Sequence, residues 1–133
     1  MAGSSDIEFA GWVPKDVLDA VAAISRVALA PYRNTPNFEG HVPNKIMEYL
    51  SYGLPMVTCM RGEVRELVEA NALGAYYTEG DVGSFGTAVR QAATMDESVR
   101  ERAKAHFQTH FEADKVYGDL LAEVQRRQAA GPR

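Results

Sequence analysis

The sequence contains almost no cysteine, since Cys59 is the only one among 133 residues. A single cysteine excludes an internal disulfide. Because Cys59 lies within an apolar run, a buried thiol is a better interpretation than a nucleophile. We therefore expect a reducing compartment and a cytoplasmic location.

Long apolar runs and an excess of positive charge are also missing. The apolar stretches have the length of strands, so we predict no membrane-spanning helix. Residues 1–5 lack the basic and apolar regions of a signal peptide and are interpreted as a tail or an expression remnant. The net charge of −4, with 46% hydrophobic residues, indicates one globular domain that does not bind nucleic acid.

Several chemical motifs are absent as well. No Gly-x-x-x-x-Gly-Lys-Ser/Thr motif occurs and no acidic cluster ends an early strand, which argues against P-loop and response-regulator-like enzymes. His106 and His110 have the i,i+4 spacing of a metal-binding pair. No third ligand accompanies them, so we interpret them as surface residues and predict no metal site.

Residues 43–55 form the segment around which the rest of the chain is interpreted. Pro43 or Asn44 suits the start of a helix, and Gly53 suits a left-handed C-terminal cap. Ile46, Tyr49 and Leu50 share one face at the spacing of a core-packed helix. Asn44, Lys45 and Glu48 lie on another face.

The start of this helix is a candidate anion site. Its first-turn amides lack intrahelical partners, and Glu48, one turn in, leans back towards them. An anion beside a carboxylate that accepts hydroxyls matches a nucleotide sugar, with the diphosphate at the amides and the ribose at Glu48. The alternative is that Lys45 and Glu48 form only an exposed i,i+3 pair.

Strand-like and helix-like segments alternate up to residue 81, which predicts an α/β fold with a Rossmann-like parallel sheet flanked by helices and a helical C-terminus. We place the domain at residues 6–124 and a fraying polar tail at residues 125–133. The predicted strands are residues 7–10, 26–30, 55–59 and 74–77. The strand at residues 26–30 is expected to be buried on both faces. A helix is predicted from about Lys15, and its buried face consists of Val17, Leu18, Val21, Ala22 and Ile24.

Ligands of parallel sheets gather outside the carboxyl ends of the strands. Arg33 and Arg61 each follow such an end and are candidates to contact a phosphate, with solvated surface arginines as the alternative. His41 lies in the same loop region. Trp12 and Tyr32 could stack on a base or sugar, although packing beneath the loops is the simpler interpretation.

Four segments, in this order, resemble one family. They are residues 9–14 (Phe-Ala-Gly-Trp-Val-Pro), 43–49 (Pro-Asn-Lys-Ile-Met-Glu-Tyr), 53–57 (Gly-Leu-Pro-Met-Val) and 62–69 (Gly-Glu-Val-Arg-Glu-Leu-Val-Glu). Together they resemble the C-terminal, nucleotide-sugar-binding domain of the retaining GT-B glycosyltransferases called glycosyl transferases group 1. The similarity runs from about Ile7 to Leu121.

The resemblance implies a nucleoside-diphosphate sugar donor and no required metal or other cofactor. By it, Glu48 takes the ribose hydroxyls and the amides of Asn44 and Lys45 hold the diphosphate. The turn formed by Gly62, Glu63 and Val64 is implied to lie near the donor. Implied partners are the donor and an N-terminal acceptor domain, in the assembly of a polysaccharide or glycolipid.

The sequence departs from the family pattern twice. The family often has two glutamates separated by seven residues, and here the earlier position is Gly40. No catalytic residue is therefore certain, although a one-residue shift would let Glu39 serve. The first βα unit of the family domain also does not precede Ile7, so we expect an incomplete enzyme that is inactive alone. The alternative is a non-catalytic Rossmann-like module that associates through an unpaired sheet edge.

Overall fold

The computed structural model describes residues 6–130, so the expected tail at residues 1–5 and the last residues, 131–133, lie outside the described part. Helices alternate with three short strands, and three helices end the chain. The elements are α1 Lys15–Ile24, β1 Ala28–Ala30, α2 Pro36–Glu39, α3 Asn44–Tyr52, β2 Met56–Thr58, α4 Glu63–Ala70, β3 Gly74–Tyr76, α5 Val82–Ala93, α6 Glu97–His110 and α7 Ala113–Ala129.

The three strands form one parallel sheet in the order β1-β2-β3. Leu29 pairs with Val57, and Val57 pairs with Ala75. The central strand β2 is buried along its whole length, as its apolar sequence requires. The predicted α/β fold with a Rossmann-like parallel sheet and a helical C-terminus is therefore confirmed.

Helices cover both faces of the sheet. On one face, Ile46 and Leu50 of α3 join Val64 and Val68 of α4 in the larger apolar cluster, which also contains Met56 of β2. On the other face α5 packs against β2 and β3. The two crossover connections place their helices on the same face, which is the arrangement that crossovers of one hand produce.

The segment at residues 43–55 folds as its sequence predicts. Helix α3 begins after Pro43 and ends at Gly53, which adopts the left-handed conformation with φ +71°. The amide of Gly53 donates to the carbonyl of Leu50, and the amide of Leu54 donates to that of Tyr49. These bonds satisfy the last turn and direct the chain into β2.

The prediction for the N-terminal segment was wrong in two respects. Residues 7–10 form no strand, and Ile7, Phe9 and Trp12 are exposed. Trp12 is 89% exposed, so it does not pack beneath the loops. Apolar composition alone does not make a strand, because a strand also needs a hydrogen-bonding neighbour at the right place.

The first helix and first strand are less buried than predicted. Of the predicted stripe on α1 only Ala22 is buried, whereas Val17, Val21 and Ile24 are exposed. In β1, Ala28 and Ala30 are buried but Leu29 is 44% exposed. The expectation of burial on both faces fails here because β1 is an edge strand and α5 packs mainly against β2 and β3.

The C-terminal part contains two capped helices followed by a long exposed one. Asp81 caps α5 and Asp96 caps α6 through bonds to the amides of Ser84 and Ser98. Helix α7 continues to Ala129, so the tail predicted to fray from Gln125 is helical over its first residues. Among residues 6–130, no helix has both the length and the apolar character needed to cross a membrane.

Candidate functional site

The carboxyl ends of the strands are joined by one asparagine. Asn34, in the loop after β1, donates from Nδ2 to the carbonyl of Cys59 (2.8 Å) and to Oε2 of Glu79 (2.9 Å). Its Oδ1 accepts from the amide of Arg61 at 2.7 Å. Because Cys59 and Arg61 follow β2 and Glu79 follows β3, one side chain connects the loops that leave all three strands.

Glu79 is the acidic member of this junction. Its carboxylate accepts from both the side chain and the backbone amide of Asn34, and these bonds hold its pKa below the ordinary value. The positive charges of Arg33 and Arg61 act in the same direction. Both arginines that the sequence singled out therefore lie near one carboxylate at the carboxyl edge.

The turn before α4 packs closely against the end of α2. Gly62 has φ +65° and ψ −139°, a conformation open to glycine and strained for other residues. A Cβ built on Gly62 would lie 2.1 Å from the carbonyl oxygen of Glu39. The structure thus brings together two predicted site residues, Glu39 and Gly62, that are far apart in sequence.

The other residues of this turn point in different directions. Glu63, the first residue of α4, is exposed. Val64 is completely buried in the core, so only its backbone is available to a ligand at the edge. No side chain caps the N-terminus of α4, and its first-turn amides are left for other partners.

The start of α3 is likewise free of a side-chain cap. Asn44 and Lys45 are exposed in its first turn, while the amide of Ile46 donates to the carbonyl of Pro43. The ammonium group of Lys45 stands 5.7 Å from the ring centre of Tyr49. Among the ion pairs of residues 6–130 none joins Lys45 to Glu48, so the alternative interpretation of an i,i+3 pair is wrong.

Glu48 is partly buried and lines a groove along β1. The groove lies between α1, β1 and α3, and Lys45, Tyr49 and Tyr52 also line it. The hydroxyl of Tyr49 donates to the carbonyl of Leu29 at 3.0 Å, which fixes α3 against the edge strand. Burial raises the pKa of Tyr49, whose hydroxyl is protonated at neutral pH even at the ordinary pKa of a tyrosine.

Aromatic side chains support the loop after β1. The ring centres of Tyr32 and Phe38 are 5.6 Å apart, and those of Phe38 and His41 are 5.4 Å apart. Tyr32 and Phe38 pack against the larger core cluster, as the packing interpretation of Tyr32 predicts, while His41 is exposed. The short helix α2 lies within this loop.

His106 and His110 are stacked on α6, with ring centres 4.2 Å apart. They line a shallow groove with residues 70–72, at the C-terminal end of α4, and so lie away from the junction of Asn34. Burial and the neighbouring His110 lower the pKa of His106. Among the described residues, no group of three potential metal ligands occurs.

Sequence reasoning missed Asn34 and Glu79 as parts of the edge. Neither residue is among the site residues predicted from the sequence. Their positions directly after two strands carry the signal that could have identified them, because parallel strands bring such residues to one edge. Which of several loop residues would meet could not be read from the sequence.

The fold defines an α/β domain of the Rossmann-like class. A sequence model of the family described as glycosyl transferases group 1 matches residues 1–95, which is more than half of the chain. The chain therefore belongs to the glycosyl transferases group 1 family, and the resemblance based on the four segments is confirmed. Searches of curated proteins and of solved structures found no match.

Proposed function

We propose that this chain binds the nucleoside-diphosphate sugar of a glycosyltransferase and acts as its donor-binding half. The observation that carries the proposal is the arrangement at α3: its start has no side-chain cap, and Glu48, one turn further along, lines the groove between α1, β1 and α3 in a partly buried position. One end of this arrangement suits an anion and the other suits hydroxyl groups.

The diphosphate is assigned to the positive end of the arrangement. The first-turn amides at Asn44 and Lys45, together with the dipole of α3, favour an anion. Arg33 and Arg61 supply further positive charge near this edge, where both act on the carboxylate of Glu79. We propose that these protein groups stabilise the leaving diphosphate, so that no metal ion or other cofactor is required.

The ribose of the donor is assigned to Glu48. A carboxylate accepts two hydroxyl hydrogen bonds at once, and such charge-assisted bonds are about twice as strong as neutral ones. The turn at Gly62, Glu63 and Val64 lies at the same edge and contributes backbone amides near the donor. Glu39, whose carbonyl contacts this turn, is the candidate catalytic side chain.

The wider role follows from the family. We propose that an N-terminal acceptor domain completes the enzyme and that the product belongs to a polysaccharide or glycolipid. The proposed location is cytoplasmic, at the inner face of the membrane through that domain.

The test is a calorimetric titration of the chain with UDP and GDP, followed by the variant Glu48→Ala. We expect saturable binding of one nucleotide by the unaltered chain and a loss of about tenfold or more in the variant, since a hydrogen bond to a charged group contributes about 1.5–3 kcal/mol. Glu101→Ala, an exposed glutamate on α6, is the matched control and should bind normally. Absence of binding to every nucleoside diphosphate, or normal binding by Glu48→Ala, would contradict the proposal.

A second candidate, association through the sheet edge, is favoured by one observation. Strand β1 lies at the edge of the sheet, and the exposed side chain of Leu29 stands on it. An open edge strand invites pairing with another chain. We expect a dimer in sizing chromatography that Leu29→Lys converts to a monomer; a monomer at high concentration would exclude this role.

A further inference from the structure

The Asn34 side chain uses both of its amide hydrogens and its oxygen on partners from other loops. Oδ1 accepts from the Arg61 amide, and Nδ2 donates to the Cys59 carbonyl and to the Glu79 carboxylate. The Asn34 amide adds a bond to the same carboxylate at 3.2 Å. These partners lie 25, 27 and 45 residues away along the chain.

The partners fix which way the carboxamide faces. Cys59 and Glu79 present only acceptor oxygens, while Arg61 presents a donor, so rotation by 180° would lose all three side-chain bonds. An aspartate has nearly the same shape but cannot donate from either oxygen when ionised. The site therefore distinguishes a carboxamide from a carboxylate of equal size.

The bond to Arg61 acts on the residue that precedes the Gly62 turn. This turn is otherwise held by its close packing on Glu39. Asn34 thus fixes the position of the Gly62 turn relative to β2. Glu79 holds the side chain of Asn34 by a hydrogen bond. The hydroxyl of Tyr76 donates to the carbonyl of Cys59 at 3.1 Å and restrains the same carbonyl.

We propose that Asn34 is a positioning residue for donor binding, which holds the Arg61–Gly62 turn at the place where it meets the diphosphate. This inference rests on the proposed function and adds to it a residue outside the ligand contacts. Asn34 acts through Arg61 and Gly62 rather than by touching the donor.

The experiment measures UDP and GDP affinity of Asn34→Ala and Asn34→Asp by calorimetry, with amide NMR spectra of each variant. Asn71→Ala is the matched control, because Asn71 also donates a side-chain bond to a backbone carbonyl, that of Leu67, but at the far end of α4. We expect both Asn34 variants to lose about tenfold in affinity and to shift the Arg61 and Gly62 amide signals. The control should keep its affinity.

A pH series separates positioning from simple space filling. In Asn34→Asp the new carboxyl group faces Glu79, with Arg33, Arg61, Tyr76 and Tyr77 as the other charged or titratable groups nearby. Such a pair takes up one proton as the pH falls and can then share a hydrogen bond. The affinity of Asn34→Asp, relative to the unaltered chain, should therefore recover towards acidic pH. A side chain that only fills space would be replaced by aspartate without loss at any pH.

The outcomes are distinct. Normal affinity in Asn34→Asp at neutral pH, a deficit that does not change with pH, or equal losses in Asn34→Ala and Asn71→Ala would overturn the inference. If Asn34→Ala does not fold, Asn34→Asp and its pH series carry the test. If the unaltered chain binds no nucleotide, the proposed function fails; unmoved Arg61 and Gly62 signals in the variants would then overturn the positioning role separately.

Discussion

The turn at Gly62 offers the sharpest test of how the carboxyl edge is built. The change Gly62→Ala adds a single methyl group at a residue with φ +65° and ψ −139°. Such backbone is strained for any residue with a Cβ. The methyl carbon would also lie 2.1 Å from the Glu39 carbonyl oxygen and 2.9 Å from its carbonyl carbon. Backbone atoms cannot rotate away as the end of a flexible side chain can.

The two effects add to a substantial loss of stability. Strain of this kind costs about 1–3 kcal/mol, and relief of the clash requires α2 to move from the turn, which costs on the order of 1–3 kcal/mol more. We expect a total of about 2–6 kcal/mol. For a chain of 133 residues the melting temperature falls by roughly 3–4 °C per kcal/mol, so the expected shift is about 6–24 °C.

Thermal unfolding followed by circular dichroism measures this shift, and two glycines of the same chain separate its causes. Gly80 has φ +83° with nothing within 4 Å of an added Cβ, so Gly80→Ala reports strain alone. Gly40 has φ −103° and the same open surroundings. Gly40→Ala should therefore be neutral or slightly stabilising.

We expect Gly40→Ala to have the highest melting temperature, Gly80→Ala an intermediate one and Gly62→Ala the lowest. If Gly62→Ala has the same melting temperature as Gly80→Ala, the contact with Glu39 contributes nothing to the loss of stability, and strain explains all of it. If Gly62→Ala has the same melting temperature as Gly40→Ala, the close packing of α2 on this turn is refuted. The proposed link between Glu39 and the donor edge would be refuted with it.

Two further predictions concern the core and its response to pH. Leu50 is completely buried, so Leu50→Ala should lower the free energy of unfolding by about 2–5 kcal/mol in chemical denaturation. The control Leu121→Ala, at a side chain that is 58% exposed, should change it by about 0.5 kcal/mol or less. Equal effects of the two substitutions would contradict the placement of the core. The pKa of His106 lies below its ordinary value of 6.5 in the folded chain, because of burial and then His110. The unfolded chain therefore binds the proton more readily, and the free energy of unfolding should fall as the pH drops through about 6.5. His106→Gln should lose less stability than the unaltered chain between pH 8 and 5.5 in urea denaturation, and an unchanged pH dependence would contradict this reasoning.

Local signals in the sequence determined much of the fold. Gly53 and the capping residues Asp81 and Asp96 mark helix ends through bonds to neighbouring residues, so their roles could be predicted without knowing the rest of the structure. The same holds for the face of α3 formed by Ile46 and Leu50. Family membership could also be predicted, because it rests on ordered motifs.

The errors share one physical cause. Residues 7–10 have the apolar composition of a strand, and Val21 has the spacing of a buried face, yet neither is buried. Leu29 lies in an apolar strand but is exposed at the sheet edge. The composition of a segment indicates that a residue can be buried. Whether it is buried depends on which other element packs against it, and the sequence pattern does not specify that element.

What the sequence alone determined is the alternation of strands and helices, the capped ends of α3, α5 and α6, and the candidate residues after each strand. Only the tertiary structure decided that Asn34 connects three loops, that Gly62 packs on Glu39, and that Val64 faces the core. Spacing along a chain specifies which residues share a face. It does not specify which loops meet, because that depends on the order and register of strands that are distant in sequence.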